Sequence, residues 1–241
     1  MNDTTNSIAG LRCRVIDDLP EGQNPEKLIV LCHGFGAPGD DLVPIGYELL
    51  EYSDEISERC RFVFPSAPLD LTELGMPGGR AWWPLNMAML AQVNQTQDFN
   101  VLTQLKPDGM EAASEMLAKA VRELQSISGL TDAETIIGGF SQGAMTATDA
   151  VLRQKICPAA LVLFSGCLLC EKEWKQLAEQ HPGCVVIQSH GTQDFVLPFE
   201  PAISLKELLV ESGFDVTFRP FPGPHTIPPV ALQDLVQLAR M

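Results

Sequence analysis

Basic residues are scarce in this chain: 16 Lys and Arg stand against 31 Asp and Glu, a formal net charge of -15. A surface of that sign repels phosphate backbones and anionic bilayers, so nucleic acid is not expected as a partner. The charge itself reads as a solubility feature. No segment approaches the roughly 20 consecutive apolar residues that span a bilayer, so no stable membrane insertion is expected. The opening residues, MNDTTNSIAG, lack the basic start and apolar core of a secretory signal. The seven cysteines are odd in number and scattered, unlike a disulfide framework, and together these features favour a cytoplasmic location. Cys167 and Cys170 form the one C-x-x-C. No second pair and no His-x-x-x-His lies at ligand spacing, so these thiols read as packing groups rather than half of a zinc site. There is no internal repeat and no low-complexity segment.

What is present is ordinary apolar material, 45% of the residues, with 20% charged. That suffices for a sheet covered on both faces, and 241 residues fit one domain with an insertion. Short apolar runs at Leu28–Cys32, Arg61–Phe64, Thr135–Gly139, Ala160–Phe164, Cys184–Gln188 and Asp215–Arg219 predict strands. Their continuity, without alternation, predicts a parallel sheet buried on both sides. An antiparallel edge strand fits Cys13–Ile16. Between the strands, helical periodicity predicts a helix through Leu49 and Leu50, capped by Asp40 or Asp41. It predicts a long one through Leu124, capped by Asp108, and others over Gln142–Gln154, Glu171–Gln180, Glu200–Glu211 and Pro229–Arg240. The stretch from about 71 to 107 breaks this rhythm. It has no clear strand, yet it carries Trp82, Trp83, Leu85, Met87, Met89 and Leu90, and long irregular connections of this kind are commonly functional.

Gly139-Phe140-Ser141-Gln142-Gly143 reads as G-x-S-x-G between the run ETIIGGF and a helix-compatible segment. A nucleophile on a sharp strand-to-helix turn needs small residues two positions away, because bulkier ones collide with the adjoining strand and helix. The turn lifts the serine hydroxyl above the sheet, and the helix N-terminus faces developing negative charge. This pattern resembles the nucleophile elbow of the α/β-hydrolase fold and predicts that fold, in which the acid and then the histidine follow the serine along the chain.

Elimination then supplies the partners of Ser141. Of the four histidines, His33 precedes the serine, His181 sits at an exposed-looking helix end and His190 precedes the candidate acid, which leaves His225. For the acid, Asp149 falls within the helix after the serine and Asp215 begins a strand. Asp194 follows the run CVVIQ, where a loop presents it above the sheet. Its task is to hold the imidazole in one tautomer and stabilise the imidazolium. The oxyanion hole needs two backbone N–H groups. Gln142, after the nucleophile, supplies one, and Phe35 in His33-Gly34-Phe35-Gly36 supplies the other. His33 itself reads as a packing and hydrogen-bonding residue.

On these residues, with Phe64-Pro65-Ser66-Ala67-Pro68, His190-Gly191-Thr192-Gln193-Asp194 and Arg80-Ala81-Trp82-Trp83, the chain resembles the phospholipase/carboxylesterase family from Leu28 to the last helix. The pattern does not extend through the segment up to Lys106. The resemblance implies a hydrolase of carboxylic esters or thioesters, with acyl-chain or lysophospholipid substrates and neither metal nor cofactor. The implied partner is a small-molecule or lipid-like acyl ester. Trp82, Trp83 and Met87 are expected to line the acyl groove, with 71–107 as a lid-like insertion. Two other readings stand beside this one, a serine peptidase or amidase on the same fold and a non-catalytic hydrolase-like binding protein. The oligomeric state is left open.

Overall fold

The computed structural model describes residues 1–241. Its strands are β1 (Asn2–Ile8), β2 (Leu11–Asp17), β3 (Lys27–Cys32), β4 (Cys60–Pro65), β5 (Leu69–Asp70), β6 (Arg80–Ala81), β7 (Thr135–Phe140), β8 (Ala160–Phe164), β9 (Val185–Gly191) and β10 (Asp215–Phe221). The helices are α1 (Val43–Tyr52), α2 (Asp54–Ser57), α3 (Met87–Thr96), α4 (Asn100–Thr103), α5 (Met110–Ser128), α6 (Gln142–Gln154), α7 (Glu171–Ala178), α8 (Phe199–Glu211) and α9 (Pro229–Arg240). Eight strands form one sheet in the order β1-β2-β4-β3-β7-β8-β9-β10. From β4 to β10 every pairing is parallel, while β1 and β2 are antiparallel additions at one edge.

The period of two along a strand divides the continuous apolar runs between two cores. Leu28, Val30 and Cys32 of β3 enter a core shared with α5, α6, α7 and α8. Ile29 and Leu31 enter the opposite core, which is closed by α1, α2 and α9. Helices therefore cover both faces. No helix is long and apolar enough to cross a membrane.

The chain steps from β3 outward to β4 and then returns to β7 on the other side of β3. This reversal leaves a crevice beyond the carboxyl ends of β3 and β7, the usual place for a site in an open α/β sheet. Cys32 pairs with Gly139, so the loop after β3 and the turn after β7 emerge side by side.

Several local expectations differ from the structure. The edge strand is β1, with β2 inside it, because the polar run Asn2–Ile8 pairs fully with Leu11–Asp17 despite its exposure. Neither α1 nor α5 has a side-chain cap: Leu42 and Gly109 hold the N-cap positions, and Gly109 adopts φ 87°. The segment 71–107 is more regular than its sequence suggests. It contains β6, which pairs back with β5 just ahead of it, and α3, whose N-terminus Asn86 caps by accepting from the Met89 amide at 3.0 Å. His181 is buried, stacked on Phe214, rather than exposed at a helix end. The cysteines are all free, and burial pushes the Cys170 thiol up to about 11, so neither member of the C-x-x-C is poised for thiolate chemistry.

Candidate active site

Ser141 follows β7 at φ 55°, ψ -120°, a backbone conformation that L-residues rarely adopt. The turn persists because its surroundings over-determine it. The Ser141 amide donates to Phe164 O at 2.8 Å, and the Ser141 carbonyl accepts from the Ala144 and Met145 amides. The two flanking glycines are where the sequence pattern demands them. A Cβ on Gly139 would lie 2.7 Å from the Gly143 carbonyl carbon. One on Gly143 would lie 2.6 Å from His33 O and closer still to the Cys32 backbone. These are backbone atoms that no rotamer change can move. Gly143→Ala is therefore expected to lose at least about 3 kcal/mol of stability. The check is a lower denaturant midpoint at unchanged slope, and a midpoint equal to wild type would show that α6 does not need this close approach to β3.

His225 and Asp194 meet above the neighbouring strand ends. His225 Nδ1 donates to Asp194 Oδ2 at 2.6 Å, which leaves Nε2 free for the serine side. Asp194 Oδ1 accepts from the Val196 and Leu197 amides at 2.8 and 2.9 Å. Burial alone would raise the Asp194 pKa, but hydrogen bonds from His190 and His225, with the His225 charge and the Leu197 amide, hold the carboxyl well below the usual range. Gly191 makes the meeting possible. Its missing side chain admits the Pro224 carbonyl, which would stand 2.5 Å from a Cβ there. The Gln193 amide then ties the two loops by donating to Gly223 O at 3.0 Å. A third tether comes from Ser165, which donates to Thr226 O at 2.9 Å.

Ser141, His225, Phe35 and Gln142 line one apolar pocket with Leu85, Met87, Leu90, Phe140, Met145, Val196 and Leu197. Ser141 Oγ and His225 face the same pocket without a hydrogen bond between them, a contact that in such sites commonly tightens only when substrate is bound. The Phe140 ring packs on the imidazole with centroids 4.7 Å apart. The Phe35 amide has no partner in the protein, whereas its neighbour Gly36 donates to Arg80 O at 2.9 Å. Gln142 is the first residue of α6, where helix geometry leaves the amide without an intrahelical acceptor. Both amides are thus available to an oxyanion.

Trp82 and Trp83 do not line this pocket, contrary to the expectation from their apolar character. Both are at most 1% exposed and belong to the core beside α5 and α6. Their backbone carries the connection instead. The buried Gln142 side chain accepts from the Trp82 amide at 2.9 Å and donates to the Trp83 carbonyl at 2.9 Å, as a strand neighbour would. The Trp82 indole donates to His33 O at 3.0 Å. These bonds clamp the loop after β3 to the start of α6, the two elements that carry the candidate oxyanion donors. Met87 does reach the pocket and is half exposed there.

The other expected residues have other partners. His33 is buried and its pKa is lowered by burial. Its Nδ1 donates to Gly34 O at 2.7 Å, and its Nε2 accepts from the Ala67 amide at 2.9 Å. Asp149 is fully buried, with its carboxylate on Arg153, the Trp174 indole and the Ser114 hydroxyl. Asp215 is exposed at the start of β10. Sequence reasoning missed the Gln142 side-chain clamp, Phe140 against the imidazole, and the Ser165 tether. Each joins residues far apart in the chain, and no local pattern announces them.

A family model described as phospholipase/carboxylesterase matches residues 19–240. Acyl-protein thioesterase 1 of Candida albicans is 27% identical over 231 residues, covering 91% of this chain and 93% of its own. Esterase YpfH of Escherichia coli K12 is 24% identical over 204 residues, 81% of this chain and 75% of its own. Among solved structures, esterase PE8 aligns with a TM-score of 0.75 at 26% identity, over 100% of this chain and 99% of its own.

Proposed function

The chain belongs to the phospholipase/carboxylesterase family of α/β-hydrolase fold and hydrolyses carboxylic esters or thioesters, and we propose that it does so through an acyl-enzyme on Ser141. The observation that carries this reading is the 2.6 Å bond from His225 Nδ1 to the buried Asp194, with the other imidazole nitrogen free beside a serine held at φ 55°. In this reading Ser141 Oγ attacks the acyl carbon while His225 Nε2 takes its proton. The Phe35 and Gln142 amides hold the tetrahedral oxyanion. Collapse breaks the bond to the alkoxide or thiolate, which leaves with the proton from the imidazolium. Water then attacks the acyl-serine by the same proton path and releases the carboxylic acid.

The acyl chain is assigned to the apolar side of the pocket. Leu85 and Met87 are shared with an open groove lined by Leu74, Met76 and Pro84, so the pocket continues past the segment 71–107 toward solvent. We read that segment as a partial lid whose tryptophans anchor it and whose α3 end meets substrate. Each buried CH₂ contributes about 0.8 kcal/mol, so kcat/KM on p-nitrophenyl esters should rise several-fold for each two carbons until the groove is full. Met87→Ala is expected to flatten that rise and leave acetate hydrolysis nearly intact. Trp83→Ala, by contrast, should cost about 3–5 kcal/mol of stability as a core deletion. Equal loss on acetate and octanoate in Met87→Ala would move the acyl groove elsewhere. Absence of any turnover by the wild type would remove the enzymatic reading itself.

A further inference from the structure

From Pro84 to Leu102 the chain runs outside the sheet as a strap with α3 at its centre. Polar contacts anchor each end. At the first, the Gln142 side chain donates to Trp83 O at 2.9 Å. At the second, the Glu171 carboxylate accepts from Gln104 Nε2 and, at 3.4 Å, from the Thr103 hydroxyl. The Cys170 amide adds a bond to Leu105 O at 3.1 Å. Between those anchors a single side chain makes hydrogen bonds to the rest of the protein. Asn94 Nδ2 donates to Phe195 O at 3.0 Å, with Val196 O at 3.5 Å and the Leu90 carbonyl of its own helix at 3.1 Å.

The two segments that Asn94 joins are both walls of the pocket that holds Ser141. Leu85, Met87 and Leu90 line it from the strap, and Val196 and Leu197 line it from the loop after β9. Apolar burial holds this seam lightly. Of the ten residues of α3 only Leu90 and Val93 are buried. Across from Asn94 the Phe195 side chain is 82% exposed, so it does not press the loop against the helix. Segments with few buried apolar contacts open locally at low free energy, and one hydrogen-bonded side chain is then a large share of what keeps them closed.

We propose that Asn94 is a specificity-determining residue: by latching α3 to the loop after β9 it sets the width of the acyl group that the pocket accepts. This rests on the reading of that pocket as the acyl site. The strap swings on its two anchors, and parting the walls breaks the bonds from Asn94 to the loop. A narrow acyl chain enters between closed walls and meets no such cost. A wider one needs the parted state, so its apparent affinity is reduced by the fraction of protein in that state.

The test is Asn94→Ala, which removes the donors while alanine, the better helix former, keeps α3 itself from weakening. Hydrogen–deuterium exchange of the full chain reads the latch directly. Peptides covering 87–96 are expected to exchange about fivefold faster than in wild type, with β3 and β7 unchanged. Exchange at the wild-type rate overturns the latch, whichever residues carry the chemistry. The second measurement compares p-nitrophenyl cyclohexylacetate with the hexanoate, acyl groups of equal length and different width. Their kcat/KM ratio is expected to shift about fivefold toward the wider ester in Asn94→Ala. An unmoved ratio, or an equal fall on both esters, would leave Asn94 a structural residue only and removes the role in specificity. Equal loss on acetate and octanoate in Met87→Ala would instead sink the acyl-pocket reading on which that role rests, while the exchange result would stand.

Discussion

Ser141→Ala is expected to lower turnover of a p-nitrophenyl ester by about 10⁶-fold and to abolish labelling by a fluorophosphonate. The hydroxyl makes no hydrogen bond in the protein, and alanine keeps the same Cβ, so the backbone strain at φ 55° is unchanged. The thermal midpoint should therefore stay within a degree or two of wild type, and the loss reports chemistry rather than unfolding. Activity should still exceed the rate in water by about 10³–10⁴-fold, because the oxyanion hole and the binding pocket remain. The measurement is the intact mass of labelled protein followed by mapping of the modified peptide. Ser165 and Ser189 are the instructive alternatives, since both lie at neighbouring strand ends and are fully buried. A label on either one would displace Ser141 from the role proposed here.

The second large effect is expected at Asp194→Asn, a loss of about 10⁴-fold in kcat. An asparagine amide cannot serve as a charged acceptor for His225 Nδ1–H, so the imidazole loses both its fixed tautomer and the charge that stabilises its protonated form. His225→Ala should cost a comparable factor, and the double variant little more than either, because the residues act as one unit. Asp149→Asn is the control. It removes a buried charge from Arg153 and should reduce stability while sparing the chemistry. If Asp149→Asn gave the larger loss in kcat at equal folded fraction, the acid would be misassigned. The same carboxylate also has a stability signature. Its folded pKa lies below the ordinary aspartate value, so its contribution is fully present above about pH 4 and is lost as pH falls further. The stability gap between wild type and Asp194→Asn should accordingly close in acid.

Most of the fold was legible because its signals are local. Continuous runs such as Leu28–Cys32 and Ala160–Phe164 are long enough, and apolar enough, to be read as strands buried on both faces. The stripe through Met110, Leu117, Val121 and Leu124 reads as one helix. Helix ends were less legible. Asp40, Asp41 and Asp108 have the chemistry of caps, yet Leu42 and Gly109 occupy those positions, and the acidic side chains make no capping bond. In 71–107 the apolar spacing hid α3. Its buried residues, Leu90 and Val93, are too few to make a stripe, and the surrounding tryptophans belong to a different part of the core.

The proposed pairing of chemistry with position rests on the sequence alone. Gly139, Ser141 and Gly143 mark a turn that only small flanking residues permit, and the order of serine, Asp194 and His225 leaves few other candidates. The turn itself was legible because its strain imposes a constraint within five residues. Which side chains meet across the crevice was decided by the tertiary structure. Gln142 finds the backbone of Trp82 and Trp83 some sixty residues away, Gly191 admits the loop of His225, and His190 lies between the carbonyl of Gly166 after β8 and that of Leu197 after β9. Trp82 and Trp83 show the limit most plainly. Hydrophobicity says that such side chains leave water, but only the packing of α5 and α6 determines that they enter the core and not the substrate pocket.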